Sequence, residues 1–340
     1  MHMKVLFLTP YTLNLRLGGF EAQVIEVYEN LKRIGVDVKW YYEVNSFDGF
    51  DILHVWSVDI GMLPFITTAR SKGLKIVLTP MKGSRAEKNW YLRLAKYLSL
   101  IPQVCVTHKK SNQIINLADY VTPLCQFEAE RISNVYKYPA SKIKIVPNGL
   151  SEVFIGNRNV ETSLKIPFDH YCLMVGRIED NKNQFTAIQA INELGLNMII
   201  VGKAGPNSEN YLERCKAISR DNICYWGSEY NKQKLALLYK KADLTIIPSK
   251  SEMVPLVVFE SLSQKTPVIC TNRCGITGDV VSGLFFTDIG VNALKEIIES
   301  AIHFDKNKIS DEGIFSWTDV AKLYISVYKS VLKKKHIDGK

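Results

Sequence analysis

Short apolar runs alternate with amphipathic stretches along this chain, and the alternation occurs twice. In the first half, residues 4–9, 36–42, 52–56, 75–79, 120–124 and 143–146 read as strands, and residues 20–34 repeat their apolar positions at a helical period. In the second half, strands are expected at 171–175, 198–201, 222–226, 244–247 and 267–271. Helices are expected between them at 183–194, 209–217, 231–241 and 256–264. Strands that are apolar on both faces must be covered on both, so the pattern predicts α/β architecture with parallel sheets between helical layers. Pro147-Asn148-Gly149 is the strongest turn signal between the halves and marks the expected boundary. Near the end, Ser316 and Asp319 resemble a capping pair. They open a helix with Trp317, Val320, Ala321, Tyr324, Tyr328 and Val331 on one face. Lys333-Lys334-Lys335 then reads as a solvated tail.

Length and composition narrow the class. A chain of 340 residues that is 46% hydrophobic exceeds what one core usually absorbs and predicts two domains. No run approaches the roughly 20 apolar residues of a spanning helix, and the opening run at 5–8 is closed by Thr9 and Pro10, so neither a signal peptide nor a membrane span is expected. Met1-His2-Met3 has the look of a cloning remnant and is set aside. The seven cysteines are odd in number and scattered, without CxxC pairs, which points to reduced thiols in the cytoplasm and to no structural zinc. The net charge of +9 sits mostly in the first half, where residues 1–148 hold 19 basic side chains against 12 acidic ones. Residues 60–118 carry ten bases and one acid, Glu87, a field that attracts phosphates, anionic lipid or nucleic acid without choosing among them.

Three segments carry candidate chemistry. Gly176 to Lys182 follows a buried strand and precedes a helix, which is where open α/β sheets bind ligands, and Arg177 and Lys182 are placed there to meet a diphosphate. Pro248 to Pro255 again follows a strand. Proline suits a first helical position, and the amides around Met253, Val254, Pro255 and Leu256 are candidates for a phosphate or a sugar hydroxyl. Glu252 and Glu260 are eight residues apart, about 12 Å at helical rise, so they suit two ends of an extended ligand rather than one atom. The plainer alternative is that Glu252 caps the helix while Glu260 makes a surface ion pair. The third segment is Gly18-Gly19, where the lack of side chains lets backbone approach a ligand ahead of a helix. No GxGxxG and no GxxxxGK[ST] occurs, which disfavours a dinucleotide oxidoreductase and a P-loop NTPase.

Taken in order, Gly18-Gly19, the segments at 51–54, 118–121 and 145–149, Gly176-Arg177 with Lys182, the segment 200–202, Pro248-Ser249, Glu252 with Glu260, Pro267-Val268 and 315–317 resemble the retaining glycosyltransferases of family four. That resemblance implies the GT-B fold: two facing Rossmann-like parallel-sheet domains, with a C-terminal helix returning to the first. It implies an acceptor domain at 1–148, a nucleotide-sugar donor domain at 149–315, and a returning helix with basic tail at 316–340. It implies a hexosyltransferase that moves a sugar from a UDP- or GDP-type donor to a glycan, lipid-linked or other hydroxyl acceptor, as in polysaccharide or glycolipid biosynthesis. Arg177 and Lys182 would bind the diphosphate, Glu252 the sugar hydroxyls and Glu260 the ribose hydroxyls, while Gly19 would face the phosphates. No metal and no further cofactor is expected, because fixed cations can stabilise the departing diphosphate. The alternatives are a non-catalytic sugar-nucleotide-binding protein and a nucleotide-sugar epimerase on the same fold.

Two features stand apart from the resemblance. The family commonly has His where this chain has Met81, which puts one donor contact in doubt. His54 and His108 are candidate substitutes, though a lone His is more often structural. Residues 82–100 place Lys82, Arg85, Lys88, Arg93 and Lys96 on one helical face and Trp90, Leu94, Tyr97 and Leu98 on the other. That face is expected either to be solvated or to make peripheral contact with an anionic membrane or a phosphate-bearing acceptor. No nucleic-acid module is recognisable.

Overall fold

The computed structural model describes residues 3–10, 18–81, 106–155, 164–276, 282–310 and 312–333. The cationic segment 82–100 and the side chain of His108 lie outside the described residues. Two compact units are present. Among the described residues the first holds the chain up to Gly149 together with everything from Phe315 on, and the second holds Leu150–Ile314.

The first unit has a five-stranded parallel sheet in the order Asp37–Trp40, Lys4–Leu8, Ile52–Trp56, Lys75–Thr79, Tyr120–Val121. The helices Gly19–Arg33, Leu63–Ser71, Val106–Leu117 and Gln126–Tyr136 accompany it. Leu6, Leu53, Val55, Ile76 and Leu78 are buried in one core with Ile66, Ile114 and Ile132 from the helices, as continuous apolar strands require.

The second unit has six parallel strands in the order Leu284–Thr287, Val268–Thr271, Leu244–Ile247, Cys172–Val175, Met198–Val201, Ile223–Gly227. Its helices are Gln184–Leu194, Glu209–Ile218, Lys232–Lys241, Leu256–Ser263 and Val291–Ala301. The order reverses direction at the central pair of strands, a doubly wound arrangement whose ligand site lies outside the carboxyl ends of the strands.

The terminal helix Trp317–Lys333 belongs to the first unit. Its start is capped as the sequence predicts: the Ser316 hydroxyl donates to Asp319 at 2.6 Å and the Asp319 amide donates back to Ser316 Oγ at 3.1 Å. Trp317, Val320, Ala321, Tyr324, Tyr328 and Val331 are all buried. Gly149 is needed at this junction, because a Cβ there would stand 2.8 Å from the Trp317 backbone nitrogen. His54 closes the contact. Its Nδ1 lies 2.7 Å from the Tyr328 hydroxyl and its Nε2 lies 2.9 Å from Thr79 Oγ1. Burial alone drives its pKa well below the usual 6.5, so the imidazole is neutral. The structural reading of His54 therefore holds.

Some boundaries differ from expectation. The expected strand at 143–146 forms one isolated bridge from Ile143 to Val121, and the neighbouring strand stops at Val121 rather than 124. Pro123 sits in the partner segment and has no N–H to extend the ladder. The strand expected to 42 ends at Trp40, where Glu43 turns back to accept from the Trp40 amide at 3.1 Å. Pro255 is at the N-cap with ψ 127, not at the first helical position, so the helix begins at Leu256. The strand Leu284–Thr287 and the helices Leu63–Ser71, Val106–Leu117, Gln126–Tyr136 and Val291–Ala301 were not anticipated. Among the described residues, no helix is long and apolar enough to cross a membrane.

Candidate functional site

The strand Cys172–Val175 ends at Gly176, whose φ of 147° is open to glycine and strained for other residues. The neighbouring strand Met198–Val201 ends at Gly202, also at positive φ, 152°. The two backbones touch there: a Cβ on Gly202 would lie 2.0 Å from the Gly176 carbonyl oxygen. Glycine at both positions lets the chain leave the sheet directly at its carboxyl edge, where Arg177 begins the next loop.

That loop turns through Asp180–Lys182 and enters the helix Gln184–Leu194 at Asn183, which is left-handed at φ 61°. The loop is tied to the second strand-end segment, 248–255, along its whole length. The Lys182 ammonium contacts Glu252 Oε1. Asn181 Nδ2 donates to the Ser251 carbonyl at 3.0 Å, and the Lys250 amide donates to the Asn181 carbonyl at 2.8 Å. Lys250 Nζ reaches both Asp180 oxygens at 2.7 and 2.6 Å. Buried Asn183 donates to the Pro248 carbonyl at 3.2 Å and accepts from Thr186 Oγ1 at 2.8 Å.

Lys182 and Glu252 are thus brought together from positions 70 residues apart, with side chains 22% and 14% exposed. A pair at this depth is shielded from bulk water yet open on one side, so each charge can be shared with an incoming ligand. Arg177 stands at the same strand end, half-exposed, with its Nε 3.5 Å from Glu179. Its carbonyl is held by Gln184 Nε2 at 2.8 Å, which fixes the backbone and leaves the guanidinium adaptable.

The segment after Glu252 is compact. The Met253 carbonyl accepts from the Gly275 amide at 2.6 Å, Val254 and Pro255 are buried, and Leu256 opens the next helix. No side chain caps that helix, so Glu252 does not serve as its cap. Glu260 lies within it and, among the described residues, makes no surface ion pair. It accepts a hydrogen bond from the Tyr239 hydroxyl at 2.8 Å. The residue keeps some exposed surface, but protein surrounds the carboxyl, and this burial raises its pKa above the ordinary value while Tyr239 and Lys232 pull it down. Glu252 and Glu260 accordingly have separate partners.

Gly18 and Gly19 are in the first unit. Gly18 is the N-cap of the helix Gly19–Arg33, and nothing lies within 4 Å of where a Gly19 Cβ would sit. Met81 follows the strand Lys75–Thr79 at a left-handed φ of 49°. Among the described residues no group of three or more His, Cys, Asp or Glu is placed to hold a metal. Sequence reasoning missed the roles of Asp180, Asn183, Lys250 and Tyr239. All four act through partners distant in sequence: Asn183 stands at the N-cap position, but its side chain reaches the Pro248 carbonyl instead of capping the helix.

Comparison with known proteins bears on the fold. Residues 160–310 match the family described as Glycosyl transferases group 1. Over 244 residues, 65% of the chain, it is 25% identical to a D-inositol 3-phosphate glycosyltransferase of Segniliparus rotundus, and this stretch spans only 54% of that relative. With one from Streptosporangium roseum it shares 21% identity over 94% of the chain and 90% of the relative. Among solved structures, a sucrose-phosphate synthase from Thermosynechococcus elongatus superposes with a TM-score of 0.76 at 17% identity, covering 97% of this chain and all of that one. The Anabaena protein HepE, solved in complex with UDP, gives 0.68 at 13% identity over 98% and 100% of the two chains. With two doubly wound units and a terminal helix returning to the first, the chain has the GT-B fold, and residues 160–310, most of its second unit, match the group 1 glycosyl transferases.

Proposed function

We propose that this protein transfers a hexose-type sugar from a nucleotide diphosphate sugar to a hydroxyl of a glycan or lipid-linked acceptor. The observation that carries the reading is the Lys182–Glu252 pair at the carboxyl edge of the second sheet, beside Arg177. The UDP bound to the similarly folded HepE, and UDP-glucose in a further HepE structure, support a nucleotide-sugar donor of UDP type.

In this reading the donor diphosphate lies against Arg177 and Lys182, and the ammonium shifts from Glu252 toward phosphate oxygens. Glu252, released in part, accepts hydrogen bonds from the sugar hydroxyls, and Glu260 accepts from the ribose. As the glycosidic bond to phosphate breaks, negative charge builds on the departing diphosphate. The two cations stabilise that charge more than they stabilise the intact donor, which is the condition for catalysis. No metal is required for this neutralisation. Retention of configuration follows if the acceptor hydroxyl attacks from the face the diphosphate leaves, passing its proton to a phosphate oxygen.

A thermal-shift panel with UDP, GDP, ADP and their sugars tests the donor reading, because a ligand at 100 times its Kd stabilises the native state by about 2.7 kcal/mol. Stabilisation by one nucleotide and its sugar, lost in Lys182→Ala, is the expected result. Equal stabilisation of wild type and Lys182→Ala would place the nucleotide elsewhere and overturn the reading.

A further inference from the structure

Two buried tyrosines of this protein end on main-chain carbonyls. Tyr171 donates to the Leu238 carbonyl at 2.7 Å, and Tyr138 donates to the Ala118 carbonyl at 2.9 Å. Tyr239 does not. Its fully buried ring packs edge-on against Phe154, its own carbonyl accepts from Thr266 Oγ1 at 2.6 Å, and its hydroxyl donates to Glu260 Oε2 at 2.8 Å. The ring is therefore held by its packing and by its main chain, and its one polar atom donates to a carboxylate. The other carboxylate oxygen, Oε1, has no hydrogen-bond partner among the described residues. Lys232, at the start of the helix that carries Tyr239, is the remaining charged group acting on the carboxylate.

We propose that Tyr239 is a positioning residue for donor binding: by holding Oε2 it locks the Glu260 rotamer and presents Oε1 as the acceptor for ribose hydroxyls. This rests on the reading of Glu260 as the ribose ligand given above. Only the ionised carboxylate accepts from both hydroxyls of a ribose diol without itself donating. Burial raises the Glu260 pKa, while the Tyr239 hydroxyl and the Lys232 ammonium oppose the rise. Nucleotide affinity accordingly falls as pH drops through the folded-state pKa of Glu260. Loss of the Tyr239 hydroxyl moves that acid limb to higher pH.

Calorimetric titration with UDP, GDP and ADP between pH 5 and 8, on wild type, Tyr239→Phe, Lys232→Met and Glu260→Gln, tests this. The probe is whichever of the three nucleotides wild type binds. Tyr239→Phe should bind about 5–10-fold more weakly at neutral pH, the loss of one hydrogen bond to a charged group. Its acid limb should lie at higher pH than in wild type. Lys232→Met leaves the core untouched and should move the limb in the same direction, so the proposal stays testable if the Tyr239 variant folds poorly. Glu260→Gln should bind weakly with no acid limb. A Tyr239→Phe protein that melts lower but keeps the wild-type affinity and limb, or a Lys232→Met limb that stays in place, overturns the positioning role while leaving Glu260 as the ribose ligand. Wild-type affinity in Glu260→Gln, or no binding of any of the three nucleotides to wild type, sinks the donor reading itself.

Discussion

Each unit of this protein carries a polar cluster against its sheet, the first between the sheet and the terminal helix and the second at the strand ends, and the two clusters are opposites. In the first, His54, Thr79, Tyr324 and Tyr328 bond to one another with no exposure, and the imidazole is neutral. In the second, Lys182 and Glu252 form an ion pair and keep part of their surface open. A neutral network that satisfies its own members has nothing left to offer a ligand and acts as structural glue. A half-open ion pair remains able to exchange partners, because neither charge is sealed from what enters. The contrast shows that polar residues beside a sheet do not by themselves distinguish a site from a seam; whether the cluster is closed does.

The largest expected effect lies on the open cluster. Lys182→Ala should lower transfer by about 100-fold or more, the scale on which a fixed donor stabilises a developing anion, with the melting temperature little changed. A variant that melts far lower, with turnover unchanged in what remains folded, would make the two clusters alike and break the comparison. Next in size is His54→Leu, which removes two bonds from the closed cluster and leaves the Tyr328 hydroxyl unpaired. A loss of about 2–3 kcal/mol in denaturant unfolding is expected, with no specific change in donor affinity.

The same histidine sharpens the contrast through pH. In the unfolded chain it titrates near 6.5, and in the folded one well below that. Below pH 6.5 the unfolded state therefore binds the extra proton, and this part of the stability is lost as pH falls. Melting curves from pH 7.5 to 5 should decline in wild type and decline less in His54→Leu. Ser316→Ala, which removes the cap of the helix carrying Tyr324 and Tyr328, should cost about 1 kcal/mol. Smallest is Lys250→Ala: its pair with Asp180 has side chains 40% and 69% exposed, so a stability change of about 0.5 kcal/mol or less is expected.

Much of the fold was legible because the strands that build both sheets are continuous apolar runs. The strands Ile52–Trp56, Lys75–Thr79, Met198–Val201 and Leu244–Ile247 fall where hydropathy alone puts them. Leu284–Thr287 escaped notice because it is a half-buried edge strand following residues without a clear period. The strand expected at 143–146 read as apolar but was interrupted by Pro123 in its partner, which no property of residues 143–146 reveals. At the site, Arg177, Lys182, Glu252 and Glu260 were readable from the segments they occupy. Their pairing was not: Lys182 meets Glu252 across 70 residues, and Glu260 meets Tyr239 across 21.

The amino-acid order by itself determined which segments must be buried, where glycine, proline and a Ser-Asp cap break them, and which charged side chains stand at strand ends. These are local properties, set by side-chain period and backbone freedom within about ten residues. Only the tertiary structure decided that His54 is sealed into a seam, that the Glu252 carboxylate holds a lysine rather than a helix end, and that a buried tyrosine spends its hydroxyl on Glu260. Those outcomes depend on which elements pack together, and packing brings together groups whose separation along the chain carries no record of their contact.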